Sequence, residues 1–564
     1  MKKVILTLQS LYREHGSVGK LWQFFRRYYN SHSFKETKNF WNKKMTLVQL
    51  EQWNLKKNKK VIIFATKHTI FITELIKKCL EQAKIDYQVY YENYPKNFNN
   101  DLYIIICPQF FKKFPDCYIA FQLEQTVSDR WFSENQLEKL KNAILVADYS
   151  ITNIQYLSKS IPVSSLYYLP ISATPLIKDS HTYEYDVLFY GDTNNERRKA
   201  YISEISKHFN VKIINNSFGQ DIWNYIKKSK VILNIHYYEN ALLETTRIYE
   251  CLSNDALIIS EKSSDFESYT DLENLVDFVE IDNIQEMIHK ISFWLNSPND
   301  FTERKKAIRA FKNKKQTQFD FYFNRLLLSL DIIDFDMMYN STSENFNPLE
   351  KFWCLGLPEY SDRSNAFEEE LAKYNKISKF SGLRHQIPWI GCGLSYKYMM
   401  KFARQHGYTD VTICEDDVLL PADLDKKLNS IYVKLNEPDC QWDLFSGHVT
   451  DLDQTASVQK NGSDEFFKYI NLNKTTGMVF NIYNHSIYDY IIQWDYCNRS
   501  LKNNAIDRYI ENKKNLAVVT TVPYLVHHKE NIHTTLWNRK KDLFSYENMT
   551  KSSLNLIEEK MSQN

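Results

Sequence analysis

Along most of this chain, short unbroken runs of apolar and β-branched residues alternate with stretches of helical spacing. Residues 61–65, 102–106 and 118–121 read as strands and 73–82 as a helix. The strand runs are apolar at every position, with no alternating polar face. That predicts a parallel sheet covered on both sides by helices. The connection Leu169-Pro170-Ile171-Ser172-Ala173-Thr174-Pro175, punctuated by two prolines, interrupts the pattern. It resumes with strands over 186–190, 211–214, 231–235 and 256–259, separated by helices over 196–208, 221–228 and 242–252. The result is two consecutive doubly wound α/β halves. The polar stretch 340–348 is the clearest linker. After it a third α/β unit opens with a strand over 352–356, continues through a helix after Ser364 and another over 395–405, and reaches a buried strand over 411–414.

Composition narrows the function classes. A chain of 564 residues needs several cores, and its 43% hydrophobic and 25% charged content is that of globular domains, which excludes a disordered or fibrous chain. Glycine is scarce, at 12 residues against 38 Tyr and 34 Phe, and no Gly-rich phosphate loop or GxGxxG run exists. The 71 Lys and Arg nearly balance the 69 Asp and Glu, so no overall field recruits nucleic acid. None of the nine cysteines forms a CxxC pair, which suits buried thiols in a reducing compartment. With neither a secretory h-region nor a run of roughly 20 apolar residues, a cytoplasmic protein is expected. Residues 1–56 stand apart: they lack strand pattern and are basic and aromatic, as in Leu21-Trp22-Gln23-Phe24-Phe25-Arg26-Arg27-Tyr28-Tyr29. A helix there either rests on an anionic membrane face or packs on the next domain with its Arg side chains solvated.

The chemistry concentrates in the last third. The strand over 411–414 runs straight into Glu415-Asp416-Asp417. Ligands of open α/β sheets bind beyond the carboxyl ends of strands. Glu415 and Asp417, two residues apart, can point the same way and hold a hard divalent cation that neutralises a diphosphate. Clustered acids equally serve as helix caps. Upstream lies Trp389-Ile390-Gly391-Cys392-Gly393-Leu394-Ser395-Tyr396, with Asp362-Arg363 and Phe367 before it. Together with Phe445-Ser446-Gly447-His448, Thr475-Thr476-Gly477-Met478-Val479-Phe480, Ala505-Ile506-Asp507 and Val522-Pro523-Tyr524-Leu525-Val526-His527-His528, this ordered set resembles glycosyltransferase family 25. That is the group of lipooligosaccharide and collagen galactosyltransferases. Tyr396 departs from the family's His.

The resemblance implies a GT-A fold over 351–564. It assigns Mn²⁺ or Mg²⁺ to Glu415, Asp417 and His527 or His528. Donor-binding roles fall to Arg363, Gly391, Ser395 and Asp416, and Asp507 becomes the general base. A surface His pair and a helix cap are the plain alternatives for His527-His528 and Asp507.

The middle of the chain resembles a GT-B glycosyltransferase. The resemblance rests on Phe189-Tyr190-Gly191, on Asn194 to Arg198, and on Glu244-Thr245-Thr246-Arg247-Ile248-Tyr249-Glu250. It implies that Glu250 meets the donor ribose and that Gly191 and Arg247 approach the diphosphate without a metal. Leu242 falls where the family's earlier Glu would be, and Asn254-Asp255 replace its glycine. In the first half, Glu124 either faces a cleft or pairs with Arg130, and His236 is open to the same two kinds of reading.

The expected architecture is thus α/β throughout: a helical segment over 1–56, twin Rossmann-like GT-B-type halves over 57–175 and 176–335, a linker over 336–350 and a GT-A-type domain over 351–564. The expected activity is transfer of a hexose, galactose by the resemblance, from a UDP-hexose donor to a glycan, lipid-linked glycan or glycoprotein. The alternatives are that one module is a silent carbohydrate- or nucleotide-binding scaffold, or, last, that the acids serve a metal-dependent nuclease or nucleotidyltransferase. Gly191, Gly391, Gly393, Gly447 and Gly477 fall near strand ends, where close approach of donor or acceptor is expected.

Overall fold

The computed structural model describes residues 2–15, 17–31, 34–128, 131–176, 182–346, 348, 350–529 and 546–563. The chain divides into two compact units, Met1–Asn324 and Arg325–Asn564.

The first unit begins with three helices, α1 (Lys2–His15), α2 (Val18–Ser31) and α3 (Phe34–Asn54). Six strands follow: β1 (Lys60–Phe64), β2 (Asp86–Tyr90), β3 (Leu102–Ile106), β4 (Tyr118–Gln122), β5 (Leu145–Asp148) and β6 (Leu166–Tyr168). They form one sheet in the order β2-β1-β3-β4-β5-β6, parallel throughout. The second half repeats the plan with β7 (Tyr185–Tyr190), β8 (Val211–Ile214), β9 (Ser229–Asn234), β10 (Leu257–Glu261) and β11 (Val276–Val279), ordered β11-β10-β9-β7-β8 and again all parallel. The unbroken apolar runs are the buried centres of these sheets: Ile62, Phe64 and Ile105 in one, Val187, Phe189, Val231 and Leu233 in the other. Each such side chain contributes about 1.5–3 kcal/mol on burial. Winding reverses between β7 and β9, and the crevice beyond their carboxyl ends is where sheets of this kind take ligands.

The second unit holds β12 (Phe352–Gly356), β13 (Ser378–Ser381), β14 (Asp410–Glu415), β15 (Val418–Leu419), β16 (Leu444–Ser446), β17 (Val458–Ser463), β18 (Lys468–Leu472), β19 (Phe480–Asn484), β20 (Val518–Val522) and β21 (His527–His528). Its main sheet is mixed, ordered β13-β12-β14-β19-β16-β20-β18-β17. The first three strands are parallel, and β19 runs antiparallel between β14 and β16. The short ribbon β15-β21 stands apart from it.

Two expectations need correction here. The stretch 336–350 is not an open linker. Asp334 caps a helix, Phe335–Thr342, by accepting from the Met337 amide, and Phe335, Met338 and Tyr339 at helical spacing are buried. The unit boundary falls earlier, at 324/325, inside the helix Pro298–Ser329. The stretch 475–480, which the family-25 resemblance matches to an acceptor-side strand, is a loop that turns at Gly477, and β19 starts only at Phe480.

Candidate functional site

In the first unit, β7 delivers Gly191 to the point where the winding reverses. Its φ of 132° lies in the range that glycine tolerates, and a Cβ there would stand 3.0 Å from Arg247 Nη2. Arg247 sits in the opening turn of the helix Thr245–Ser253. Its Nη2 lies 3.4 Å from Glu244 Oε2, and its guanidinium covers the Tyr190 ring at 5.0 Å. Nη1 is buried without a hydrogen-bond partner. Beside it, Arg198 donates from Nη2 to Glu244 Oε1 at 3.2 Å and from Nε to the Ile235 carbonyl at 2.9 Å. Burial raises the Glu244 carboxyl, but Arg247 and Arg198 outweigh it and hold the group below its ordinary value. Two guanidinium groups thus face one carboxylate. A buried unsatisfied donor costs about 1–3 kcal/mol, and an oxyanion of phosphate geometry is the partner that would relieve it.

Glu250 is not a free ribose acceptor. One oxygen accepts from Trp223 Nε1 at 2.9 Å and the other from the Tyr190 hydroxyl at 3.0 Å. Burial pushes its carboxyl up, against those two donors. It braces the ring that carries Arg247. Asp255 explains why a glycine is usual there: its φ is 55°, a left-handed conformation, and its carboxylate compensates by binding Arg309 at 3.0 Å and Lys312. Leu242 is buried, and its amide and carbonyl bond reciprocally to the Gln125 side chain at 2.9 and 3.1 Å, joining the two halves of this unit. His236 is tied to Glu261 through its amide at 2.9 Å and Nε2 at 3.1 Å. Glu124 accepts from Gln109 at 3.0 Å, while Asp129 and Arg130 lie outside the described residues.

In the second unit, β14 carries Glu415 at its carboxyl end, followed by Asp416 and Asp417. Arg363, from the helix Ser361–Lys373, donates from Nε to Asp416 Oδ1 at 2.8 Å and from Nη2 to Asp417 Oδ2 at 2.7 Å. Burial disfavours the Asp417 anion, but Arg363 and His528 prevail and keep its carboxyl well below the usual range. Asp417 Oδ1 is buried and unpartnered. Glu415 is pushed up to about 8 by burial and then by Asp417, with smaller pushes from Asp416 and Asp507. Cys392 Sγ lies 4.0 Å from Glu415 Oε1. Asp507, from the helix Ile506–Glu511, accepts from the Arg508 amide at 2.8 Å, and burial raises it.

The structure therefore gathers Arg363, Glu415, Asp416, Asp417 and Asp507. Arg363 and Asp416 satisfy one another rather than standing open to a donor. His527 is not in the group. In the β15-β21 ribbon His528 pairs with Val418 and His527 with Leu419. Successive strand residues point to opposite faces, so His527 is exposed and His528 Nε2 stands 3.2 Å from Asp417 Oδ2. Ser395 is also displaced from a donor role: its hydroxyl accepts from the Leu383 amide and donates to the Gly391 carbonyl, both at 2.8 Å. Gly391 lets its helix approach that loop, since a Cβ would lie 2.8 Å from the Leu383 carbonyl. Gly393, Gly447 and Gly477 likewise press on Trp494, Phe480 and Thr450, protein neighbours rather than open ligand space. Tyr396 is buried, its hydroxyl 3.3 Å from the Met478 carbonyl.

One contributor escaped the sequence reading. The Tyr546 ring, opening the helix Tyr546–Gln563, stacks on His528 at 4.6 Å and 24°, and Thr550 Oγ1 lies 3.3 Å from His448 Nε2. No motif marks a residue recruited by stacking from so far along the chain. Thr534 and Thr535 lie outside the described residues. Among the described residues, no three His, Cys, Asp or Glu side chains converge as a ready metal cage. The unpartnered Asp417 oxygen beside Glu415 is of the carboxylate type that a hard cation prefers.

Comparison with known proteins gives one family match: residues 175–319 fit the model described as "Glycosyl transferase-like". The segment contains Gly191, Arg198, Glu244 and Arg247. The chain is a glycosyltransferase. Its first unit has two consecutive parallel α/β halves, the arrangement that the GT-B resemblance implies. No curated protein matches the sequence. Among solved structures, sucrose-phosphate synthase from Thermosynechococcus elongatus is similar at 10% identity and a TM-score of 0.35, over 49% of this chain and 99% of that one. HepE from Anabaena, in complex with UDP and glucose, is similar at 11% identity and 0.34, over 48% and 100%. WaaG, a glycosyltransferase involved in lipopolysaccharide biosynthesis, is similar at 10% and 0.33, over 48% and 99%. At these scores the likenesses bear on neither substrate nor mechanism.

Proposed function

We propose that the chain is a hexosyltransferase whose nucleotide-sugar donor, a UDP-hexose, places its diphosphate against Gly191 and Arg247, and whose acceptor is a glycan or glycoprotein. The observation that carries this reading is the buried, unpartnered Nη1 of Arg247 at the carboxyl end of β7, within the segment that matches glycosyltransferases. A guanidinium there meets the diphosphate in fork geometry and stabilises the charge that grows on the leaving nucleotide. Arg198 and Glu244 hold its orientation. Glu250 acts through Tyr190, as a positioning residue.

The second unit is read as a further glycosyltransferase module, of GT-A type and akin to family 25, with galactose as its sugar. What supports it is the acid group at the end of β14 and the unpartnered Asp417 oxygen. Glu415 and Asp417, with His528 in place of His527, would hold Mn²⁺ or Mg²⁺. The bound cation would supply Lewis-acid stabilisation of a diphosphate. Arg363 keeps Asp417 ionised, and Asp507 is the residue suited to take the acceptor's hydroxyl proton.

The test is a turnover screen of nucleotide sugars with and without Mn²⁺ on wild type, Arg247→Met and Asp417→Ala. Loss of metal-independent turnover in Arg247→Met alone supports the first site. Loss of Mn²⁺-dependent turnover in Asp417→Ala alone supports the second. Full activity of both variants would sink both assignments.

A further inference from the structure

The three N-terminal helices are held unequally. Helix α3 is fixed to the first sheet's elements: Val48, Leu50 and Trp53 are buried, Trp53 Nε1 donates to the Lys60 carbonyl at 3.2 Å, and Thr46 Oγ1 donates to the Asp116 carbonyl at 3.3 Å. Among the described side chains, α1 buries Thr7, Ser10 and Leu11, while in α2 Leu21, Phe24 and Phe25 are half-buried and none is buried fully. Leu11 is 1% exposed, and the Phe25 ring stacks on Trp41 of α3 at 5.5 Å. Their outer faces carry Leu8 and Tyr12, one turn apart, and Val18, Trp22 and Tyr29, at i, i+4 and i+11. Val18 is 71% and Trp22 68% exposed. These five are a third of the fifteen exposed large apolar and aromatic side chains among the described residues, gathered within 22 positions.

Charge is segregated to the same end. Residues 1–60 hold 14 of the 71 Lys and Arg but three of the 69 Asp and Glu, a net +11, which leaves the other 504 residues at −9. Lys20 and Arg26 are exposed beside the apolar stripe. An apolar and aromatic ridge within a basic field is complementary to a surface that is anionic outside and hydrocarbon beneath. A second copy of the same face would bring +11 against +11. No helix among the described residues is long and apolar enough to cross a membrane, so contact would be with the surface.

We propose that α1 and α2 dock this chain on an anionic lipid bilayer, with Val18, Trp22 and Tyr29 entering the headgroup boundary and the basic residues meeting lipid phosphates. This stands independently of either catalytic reading.

Co-sedimentation of the full chain with phosphatidylcholine vesicles containing about 30% phosphatidylglycerol tests it. Expected are binding at 0.1 M NaCl, weakening at least tenfold at 0.5 M, and little binding to phosphatidylcholine alone. The double variant Val18→Ser/Trp22→Ser, which alters only exposed side chains, should bind the anionic vesicles at least tenfold more weakly while keeping wild-type circular dichroism. Equal sedimentation with both vesicle types, or unchanged binding of the double variant, would overturn the proposal. So would tighter binding to a single-stranded oligonucleotide than to the anionic vesicles, or dimerisation through this face.

Discussion

The two candidate sites are built with opposite electrostatics. At the end of β7, two guanidinium groups face one carboxylate, and what is left unsatisfied is a donor, Arg247 Nη1. At the end of β14, acids outnumber the single Arg363, and what is left unsatisfied is an acceptor, Asp417 Oδ1. A site with a spare donor can take an anion directly; a site with a spare carboxylate oxygen needs a cation between itself and that anion. As proposed, the first site would take a diphosphate without metal and the second through a cation, the one on a parallel sheet and the other on a mixed one.

The difference can be broken most forcefully at Arg363. Arg363→Met would leave Asp416 a buried, uncompensated carboxylate and Asp417 with His528 alone beside it, which costs about 3–5 kcal/mol. Hydrogen exchange should show faster opening of peptides within 325–564, with those of 1–324 unchanged; an even response across both units would mean the pair is not the local restraint it looks to be. The next largest effect is on metal. Asp417→Asn should weaken Mn²⁺ binding, followed by calorimetric titration, at least tenfold, about 1.4 kcal/mol or more. Arg247→Met should leave that titration alone.

Glycine substitutions sharpen the contrast further. Gly391→Ala drives a Cβ against the Leu383 carbonyl, a backbone atom that cannot step aside, and should cost about 1–3 kcal/mol of stability in a thermal melt without changing UDP affinity. Gly191→Ala meets the far end of Arg247 and also strains the backbone at φ 132°, so the melting temperature and UDP affinity should both fall, the affinity through displacement of Arg247. The smallest effect is with pH. Glu244 is a carboxyl held below its ordinary value in the folded chain. Its contribution is fully present above the unfolded pKa of about 4.3 and is lost as pH falls through the lower folded value. Glu244→Gln should flatten acid unfolding below about pH 4.3, visible in denaturant midpoints taken from pH 5 down to 3.

The fold was legible where a strand is apolar on both faces, as in β3, β9 and β14, because such runs have no other soluble home. It was illegible where a helix hid behind polar residues: Asn340, Ser341 and Thr342 end a helix anchored by Phe335, Met338 and Tyr339, and only their burial reveals it. The acids after β14 were visible as a strand-end cluster, and Gly191 and Arg247 as a pair. What one dimension could not supply was register and partnership. The choice of His528 over His527 depends on β21 pairing with β15, across more than a hundred residues. Sequence alone does not show that Tyr190 and Trp223 occupy Glu250, or that Leu383 and Gly391 occupy Ser395. Tyr546 carries no signal at all, because an aromatic ring becomes part of a site only through what it stacks on.

The most direct test of the first site is calorimetric titration of UDP, without divalent cation, into wild type, Arg247→Met and Asp417→Ala. Loss of a charged hydrogen bond predicts that Arg247→Met binds about ten- to a hundredfold more weakly, roughly 1.5–3 kcal/mol, while Asp417→Ala binds as wild type does. Equal affinity in Arg247→Met and wild type, or a loss confined to Asp417→Ala, would contradict the assignment of the nucleotide diphosphate to Gly191 and Arg247.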